Sequence, residues 1–401
     1  MKKLKTLAIF LLTFIITIPQ ALAQNEGRIV GLDENVKAYL IGNQETGEVY
    51  YEKNSDIAYP MASLTKLMTF LLTREAIDRG DLSLDTYIKA DERSQELTSW
   101  EYSSLGLKEG EEYKVDDLLK GLIAVSGNDC AYLLGKTIGG SEEEFAQMMN
   151  QKASELDLAS QVYYNASGIE TDDGKENQSS AKDLFTLASI IVRTYPDILE
   201  YSSMDEVVIE EKGIKKESTI PLRGEIPGLD GLKTGTTENA GYCLVSTVDM
   251  SKIDPEDNFR TIGVVMGADQ ADTRNLVMSD LIYYISRYFS YEDILNTNES
   301  VKTLDLISAK QGYVDLYPAE DISIVSKDSK IVSKKIYLNE PIKAPIAKGD
   351  ILGRVDVSYD DQAYQVDLLA KSDVKEASKF GKIMRTLEEN INFLIDLLIA
   401  R

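Results

Sequence analysis

Residues 61–79, MASLTKLMTFLLTREAIDR, read as a buried helix closed by Gly80. Lys66 falls among Leu64, Leu67, Met68, Phe70, Leu71 and Leu72, three residues after Ser63. A charge is costly to bury unless something uses it. Taken alone, the segment has a plain explanation, a lysine whose stem covers apolar surface while its head reaches water. The rest of the chain decides between the two.

The surrounding pattern is mixed. Residues 36–54, VKAYLIGNQETGEVYYEKN, form two β-rich runs around the turn residues Asn43 to Gly47, which predicts a hairpin. Helical spacing covers 116–138, interrupted at Ser126-Gly127-Asn128, and then 142–156 and 180–194. From 205 onward DEVVIEE, AGYCLVSTVDM and RTIGVVMGA read as strands, and a helix over 272–289 follows. Strands at both ends of a helical middle predict an α+β domain whose sheet draws on both ends of the segment. Near DILNTNES, residues 293–300, the pattern shifts to short alternating segments separated by turns. The expected organisation is a large unit over 24–296, a small all-β, sandwich-like domain over 300–372, and a terminal helix over 374–401.

The ends of the chain speak to location. Residues 1–24, MKKLKTLAIFLLTFIITIPQALAQ, carry three lysines, an apolar run from Leu7 to Ile18, and Ala21-Leu22-Ala23. That is the layout of a secretory leader over 1–23, leaving Gln24 as the mature N-terminus. Its apolar run is short for a membrane span. At the other end Phe380, Ile383, Met384, Leu387, Ile391, Leu394, Ile395 and Leu398 recur at helical spacing as one apolar stripe, with Lys382, Arg385, Glu389 and Asp396 opposite. The stripe predicts either a helix packed on its own β domain or, more in keeping with a terminal position, an anchor lying in the membrane interface. Attachment to the outer face of the cytoplasmic membrane is then the expected location.

Composition removes several classes of function. The chain has 43 Lys and Arg against 67 Asp and Glu, a formal net charge of −24, which disfavours nucleic acid as a partner. It has no histidine, which excludes a Ser-His-Asp triad, Cys-His nucleophiles and His-based zinc sites. No metal or other cofactor is expected. Of its two cysteines, Cys130 and Cys243, one bridge is possible, but two free thiols packed as small hydrophobes suit a chain of this size better. Nucleophilic catalysis here needs a base other than histidine.

Three S-x-x-K matches occur, at Ser63/Lys66, Ser179/Lys182 and Ser372/Lys375, but only the first opens an apolar helix. Downstream stand the S-x-N of Ser126-Gly127-Asn128 and the K-T-G of Lys233-Thr234-Gly235. Serine and lysine three apart on a helix share one face, so the amine can reach the hydroxyl. A first-turn serine also presents backbone N–H groups to a developing oxyanion. Lys66 accepts a proton only when neutral, so its pKa must fall from about 10.4 towards 7. Burial supplies part of that shift, and a second cation, Lys233, is expected to supply the rest. Ser126 is placed to relay a proton and Asn128 to hold a substrate backbone. Lys233, Thr234, Gly235 and Thr236, on a glycine-rich strand start, suit a carboxylate ligand.

S-x-x-K, S-x-N and K-T-G in this order, with NASGIE and AGYCLVST between and after them, resemble the low-molecular-mass penicillin-binding proteins, the D-alanyl-D-alanine carboxypeptidases. The resemblance covers nearly the whole mature chain, including APIAKGDILGRV in the small β domain. It implies a penicillin-binding, β-lactamase-like fold, an antiparallel sheet with a helical subdomain. It also implies peptidoglycan pentapeptides ending in D-Ala-D-Ala as substrate, covalent binding of β-lactam antibiotics, and acyl transfer through Ser63. The amides of Ser63 and Thr236 then form the oxyanion hole, and Arg274, in GADQADTRNL, matches an arginine near the site. Thr236 departs from the pattern, because many relatives carry histidine there. A class A β-lactamase shares the three motifs, but the segment after Glu170, ETDDGKEN, does not continue as that class requires. A catalytically poor penicillin-binding or wall-binding module is the further alternative.

Overall fold

The computed structural model describes residues 33–99, 101–327, 332–359 and 362–399. The expected leader, 1–23, lies outside them. The chain divides into two compact units between Ser286 and Arg287.

In the first unit, five antiparallel strands run in the order Val49–Lys53, Ala38–Asn43, Arg260–Ala268, Gly241–Asp249 and Leu229–Thr237. The N-terminal hairpin pairs with the sheet's last strand in chain order, from Ala38 opposite Met266 to Asn43 opposite Thr261. Both ends of the segment therefore build the sheet, as the order of patterns predicts. Ala38–Asn43 is buried at every position, so the sheet is covered on both faces there.

The apolar run forms a short 3-10 turn, Ala62–Thr65, continuing into the α-helix Lys66–Asp78. Every residue from Leu64 to Thr73 is buried, whichever way it points. A helix apolar all round has to be enclosed. This one shares a core with Leu118 and Leu122 of Val115–Ile123, Leu134 of Asn128–Gly139, Phe145 of Glu142–Glu155 and Leu184 of Ala181–Thr194. Two of these helices start on serine caps, Ser141 accepting from the Glu144 amide and Ser180 from that of Asp183.

The second unit holds a two-stranded sheet, Phe289–Leu295 with Ile322–Lys327, and a five-stranded one. Ile294 and Ile324 from the first share one core with Leu316, Val355, Val366 and Leu368 from the second. Two boundaries differ from the sequence reading. The strand Phe289–Leu295 belongs to the second unit, whereas the large unit was expected to reach 296. Helix Ala271–Tyr288 runs straight into that strand with no glycine or proline between them, so the visible turn signal at NTNES lies inside the second unit. Residues 374–378 are extended rather than helical. Val374 bridges Ile346 and Glu376 bridges Ala309, with Val374 and Ala377 buried, so the helix begins at Lys379.

Candidate active site

Ser63 sits in the 3-10 turn, partly exposed, directly after Ala62 at φ +48°. One helical turn on, Lys66 is fully buried, and its Nζ lies 2.7 Å from Ser63 Oγ, from Asn128 Oδ1 and from the Ser167 carbonyl oxygen. Burial pushes Lys66 down to about 7, against the opposing pull of the Asp129 carboxylate. The lysine among leucines therefore loses its proton from about pH 7 upward, in contact with a hydroxyl.

The Lys233 strand forms the opposite wall. A Cβ on Gly235 would stand 2.8 Å from the Met61 carbonyl oxygen and 3.1 Å from the Ser63 amide nitrogen, so only glycine lets the strand lie this close to the turn. Lys233 is fully buried and donates to the Thr234 carbonyl at 2.8 Å. Burial, then Lys66 and Arg274, push its pKa well below the usual lysine value. Burial is the largest cause of the shift on both lysines. Arg274 is buried and lowered by that burial, and its guanidinium reaches Asn275 Oδ1 at 2.9 and 3.0 Å. Thr234 Oγ1 meets Thr219 Oγ1 at 3.1 Å, and Thr236 is exposed at the edge of the cleft.

Asn128 opens its helix, with its amide donating to the Ser103 carbonyl at 2.8 Å. Ser126, buried at φ +62°, sits in the break just before that helix. Its hydroxyl bonds none of the described residues. Both cysteines are buried and free.

Some residues that build the site were not singled out from sequence. The Ser167 carbonyl acts through the backbone, which no side-chain motif reveals. Asp129 is fully buried, accepting four backbone amides, from Leu105, Gly106, Leu107 and Cys130, at 2.8–3.1 Å. It ties the 103–107 loop to the Asn128 helix, and its place directly after the S-x-N motif was the only available signal. Glu170 is exposed, and its carboxylate lies 3.5 Å from Asn239 Nδ2 rather than over Ser63.

Comparisons with known proteins identify the family. The family described as D-alanyl-D-alanine carboxypeptidase matches residues 26–270, and that described as penicillin-binding protein 5, C-terminal domain, matches 289–376. The chain is 32% identical to the D-alanyl-D-alanine carboxypeptidase DacF of Bacillus subtilis, over 96% of this chain and 97% of that protein. Among solved structures, PBP3 of Streptococcus pneumoniae aligns with a TM-score of 0.69 at 26% identity, over 85% of this chain and 99% of that one. Penicillin-binding protein D2 of Listeria monocytogenes, in its ampicillin-bound form, aligns with a TM-score of 0.55 at 36% identity, over 62% and 96%. The chain belongs to the D-alanyl-D-alanine carboxypeptidase family of serine peptidases and carries that family's penicillin-binding protein 5-type C-terminal domain.

Proposed function

We propose that Ser63, Lys66 and Ser126 are the catalytic groups of this D-alanyl-D-alanine carboxypeptidase, and that its substrate is a peptidoglycan stem peptide ending in D-Ala-D-Ala. The observation that carries the reading is the environment of the Lys66 amine. Two of its three neighbours, Asn128 Oδ1 and the Ser167 carbonyl, only accept hydrogen bonds. As an ammonium, Lys66 donates to all three oxygens. Once neutral, it keeps two N–H groups for the two acceptors and has a lone pair free for the Ser63 hydroxyl 2.7 Å away. Lys66 takes the serine proton as Oγ attacks the carbonyl carbon of the penultimate D-alanine. The oxyanion forms against the amides of Ser63 and Thr236. The proton passes to the leaving nitrogen, with the Ser126 hydroxyl as relay. D-alanine departs, and water repeats the sequence on the acyl-enzyme.

Lys233, Thr234, Thr236 and Arg274 present positive charge and hydroxyls to the carboxylate of the terminal D-alanine. Asn128 and Gly235 let the peptide backbone lie along the strand. A β-lactam offers the same carboxylate beside a strained amide, so covalent labelling of Ser63 is expected. Labelling by a fluorescent penicillin should vanish in Ser63→Ala and persist in Ser179→Ala and Ser372→Ala. An adduct mapped to another serine would end this reading. Release of D-alanine from a short D-Ala-D-Ala peptide separates an active carboxypeptidase from a module that only binds penicillin.

The place of action follows from the two ends. The leader over 1–23 directs export, and the terminal helix holds the enzyme to the outer face of the cytoplasmic membrane. Supporting this, Phe380, Ile383, Met384, Leu387 and Ile391 are each half to three-quarters exposed. Arg385, on the other face, donates to the carbonyls of Ile307, Ala309 and Lys310 in the β domain. Among the described residues no helix is long and apolar enough to cross a membrane. The attachment we propose is interfacial.

A further inference from the structure

We propose that Asn177 is a positioning residue for the Lys66 amine, acting through the loop that delivers the Ser167 carbonyl. Asn177 is fully buried and lies on neither the motif helix nor the motif strand. Its side chain and carbonyl make four hydrogen bonds to two separate segments. Towards the Ser63 turn, its Nδ2 donates to Thr65 Oγ1 at 3.1 Å and its carbonyl accepts the Met61 amide at 3.0 Å. Towards the 164–168 loop, Nδ2 also donates to the Asn165 carbonyl at 2.9 Å, and Oδ1 accepts the Tyr164 amide at 2.7 Å. One side chain therefore sets the distance between the nucleophile turn and the loop facing it.

The loop carries that constraint to the amine. Asn165 Oδ1 accepts the amides of Ser167 and Gly168 at 3.1 and 2.7 Å, fixing the direction of the Ser167 carbonyl. Gly168, at φ +85°, lies so close to the turn that a Cβ would stand 1.9 Å from the Ala62 carbonyl oxygen. The neighbouring Glu176, also buried, accepts from Thr237 Oγ1 at 2.5 Å, so the same stretch of chain reaches the end of the Lys233 strand. The nucleophile turn, the carbonyl loop and the strand are held at residues 176–177.

The consequence is chemical as well as structural. With the Ser167 carbonyl in place, two acceptors fix both amine hydrogens and aim the lone pair at Ser63. If the carbonyl moves away, the amine can rotate and the lone pair is aimed at Ser63 only part of the time. The ammonium form loses more than the neutral form, because bonds from a charged donor are roughly twice as strong. The Lys66 pKa then falls further. Loss of Asn177 should therefore leave two marks together, a slower plateau and an acid limb at lower pH. A general loss of stability produces neither in the folded fraction.

The inference rests on Ser63 as nucleophile and Lys66 as base, so the wild-type enzyme must first show acylation rising through a group near pH 7 and no labelling of Ser63→Ala. Acylation by a fluorescent penicillin is then measured in single turnover from pH 5 to 9, with the labelled amplitude counting folded sites. For Asn177→Ala we expect a full amplitude per folded molecule, a plateau rate lower by about 10–100-fold, and an acid limb shifted down by roughly half a pH unit or more. Asn165→Ala acts on the same carbonyl from inside the loop and should shift the limb in the same direction. It carries the test if Asn177→Ala does not fold. Asn150→Ala is the structural control, since Asn150 brackets Tyr163 with bonds of 2.7 and 2.9 Å but leaves 164–168 untouched. It should lower Tm and leave the limb in place. A wild-type acid limb in both Asn177→Ala and Asn165→Ala, or an equal shift in Asn150→Ala, overturns the proposal.

Discussion

Ser63 and Lys66 show how one interaction can serve both chemistry and pH dependence. Lys66 is neutral in the folded protein above about 7 but stays protonated in the unfolded chain up to about 10.5. The unfolded state therefore binds more protons between those values, and stability rises with pH across that window. At and below neutral pH the buried amine costs on the order of 5 kcal/mol, from a shift of about 3.5 units at 1.36 kcal/mol each. Lys66→Met removes that dependence. The stability of the variant relative to wild type should be greatest near pH 7 and decline towards pH 10, as urea melts at a series of pH values will show. The same variant should acylate about 10³-fold more slowly. A pH-independent stability difference would mean that Lys66 is charged in the native protein, and near-normal acylation would mean that another group takes the serine proton. Lys233→Ala belongs to this scale too. It should lower kcat/KM for a substrate with a free C-terminal carboxylate by about 10–100-fold and affect the amidated substrate little. Equal cleavage of acid and amide by wild type would remove the carboxylate role.

Between elements, the decisive contact is that of the Lys233 strand with the Ser63 turn. The strand is buried from Gly231 to Gly235, and its glycine at 235 admits the backbone of Met61, Leu64 and Ser63. Gly235→Ala must move the strand or the turn, because backbone atoms, not flexible side-chain tips, stand in the way. We expect a loss of about 1–3 kcal/mol and more than about a tenfold drop in acylation, since the Ser63 and Thr236 amides separate. Gly47→Ala is the comparison: this glycine, unlike Gly235, has positive φ but nothing within 4 Å, so strain without crowding should leave acylation unchanged. If both variants behave alike, the close approach is not what the site requires.

For the whole molecule, the two units have separate cores. The proposed attachment belongs to the second, whose terminal helix exposes Phe380, Ile383, Met384, Leu387 and Ile391 while residues 374–377 pair with the β domain. Truncation after Ser378 therefore removes the helix and keeps that pairing, which a cut at 376 would break. The shortened enzyme should leave the membrane fraction, retain penicillin labelling and keep its Tm within a few degrees. A complete apolar side chain removed from water is worth about 1.5–3 kcal/mol, enough for five partly exposed ones to hold a protein at an interface. The charges on the helix nearly balance, so release by salt should be weak. A truncated enzyme that still sediments with membranes would place the attachment elsewhere.

The sequence by itself determined the class of fold and the class of reaction. The hairpin, the all-round apolar helix and the late strands are periodic signals of local origin, and absence of histidine left lysine as the proposed base beside Ser63. The three motifs named Ser63, Lys66, Ser126, Asn128, Lys233, Thr234 and Gly235 because their side chains carry the signal. Local pattern could not show that the large unit gives up Phe289–Leu295, since helix and strand abut there without a turn. Nor could it show that the Ser167 carbonyl, 101 residues from Lys66, completes the amine's shell. Tertiary structure also decided that Asp129 and Asn177 are ties between segments, and that burial is the largest cause of the Lys66 shift. A backbone oxygen has no residue type, and desolvation depends on what surrounds a group, so neither is written in the order of residues alone.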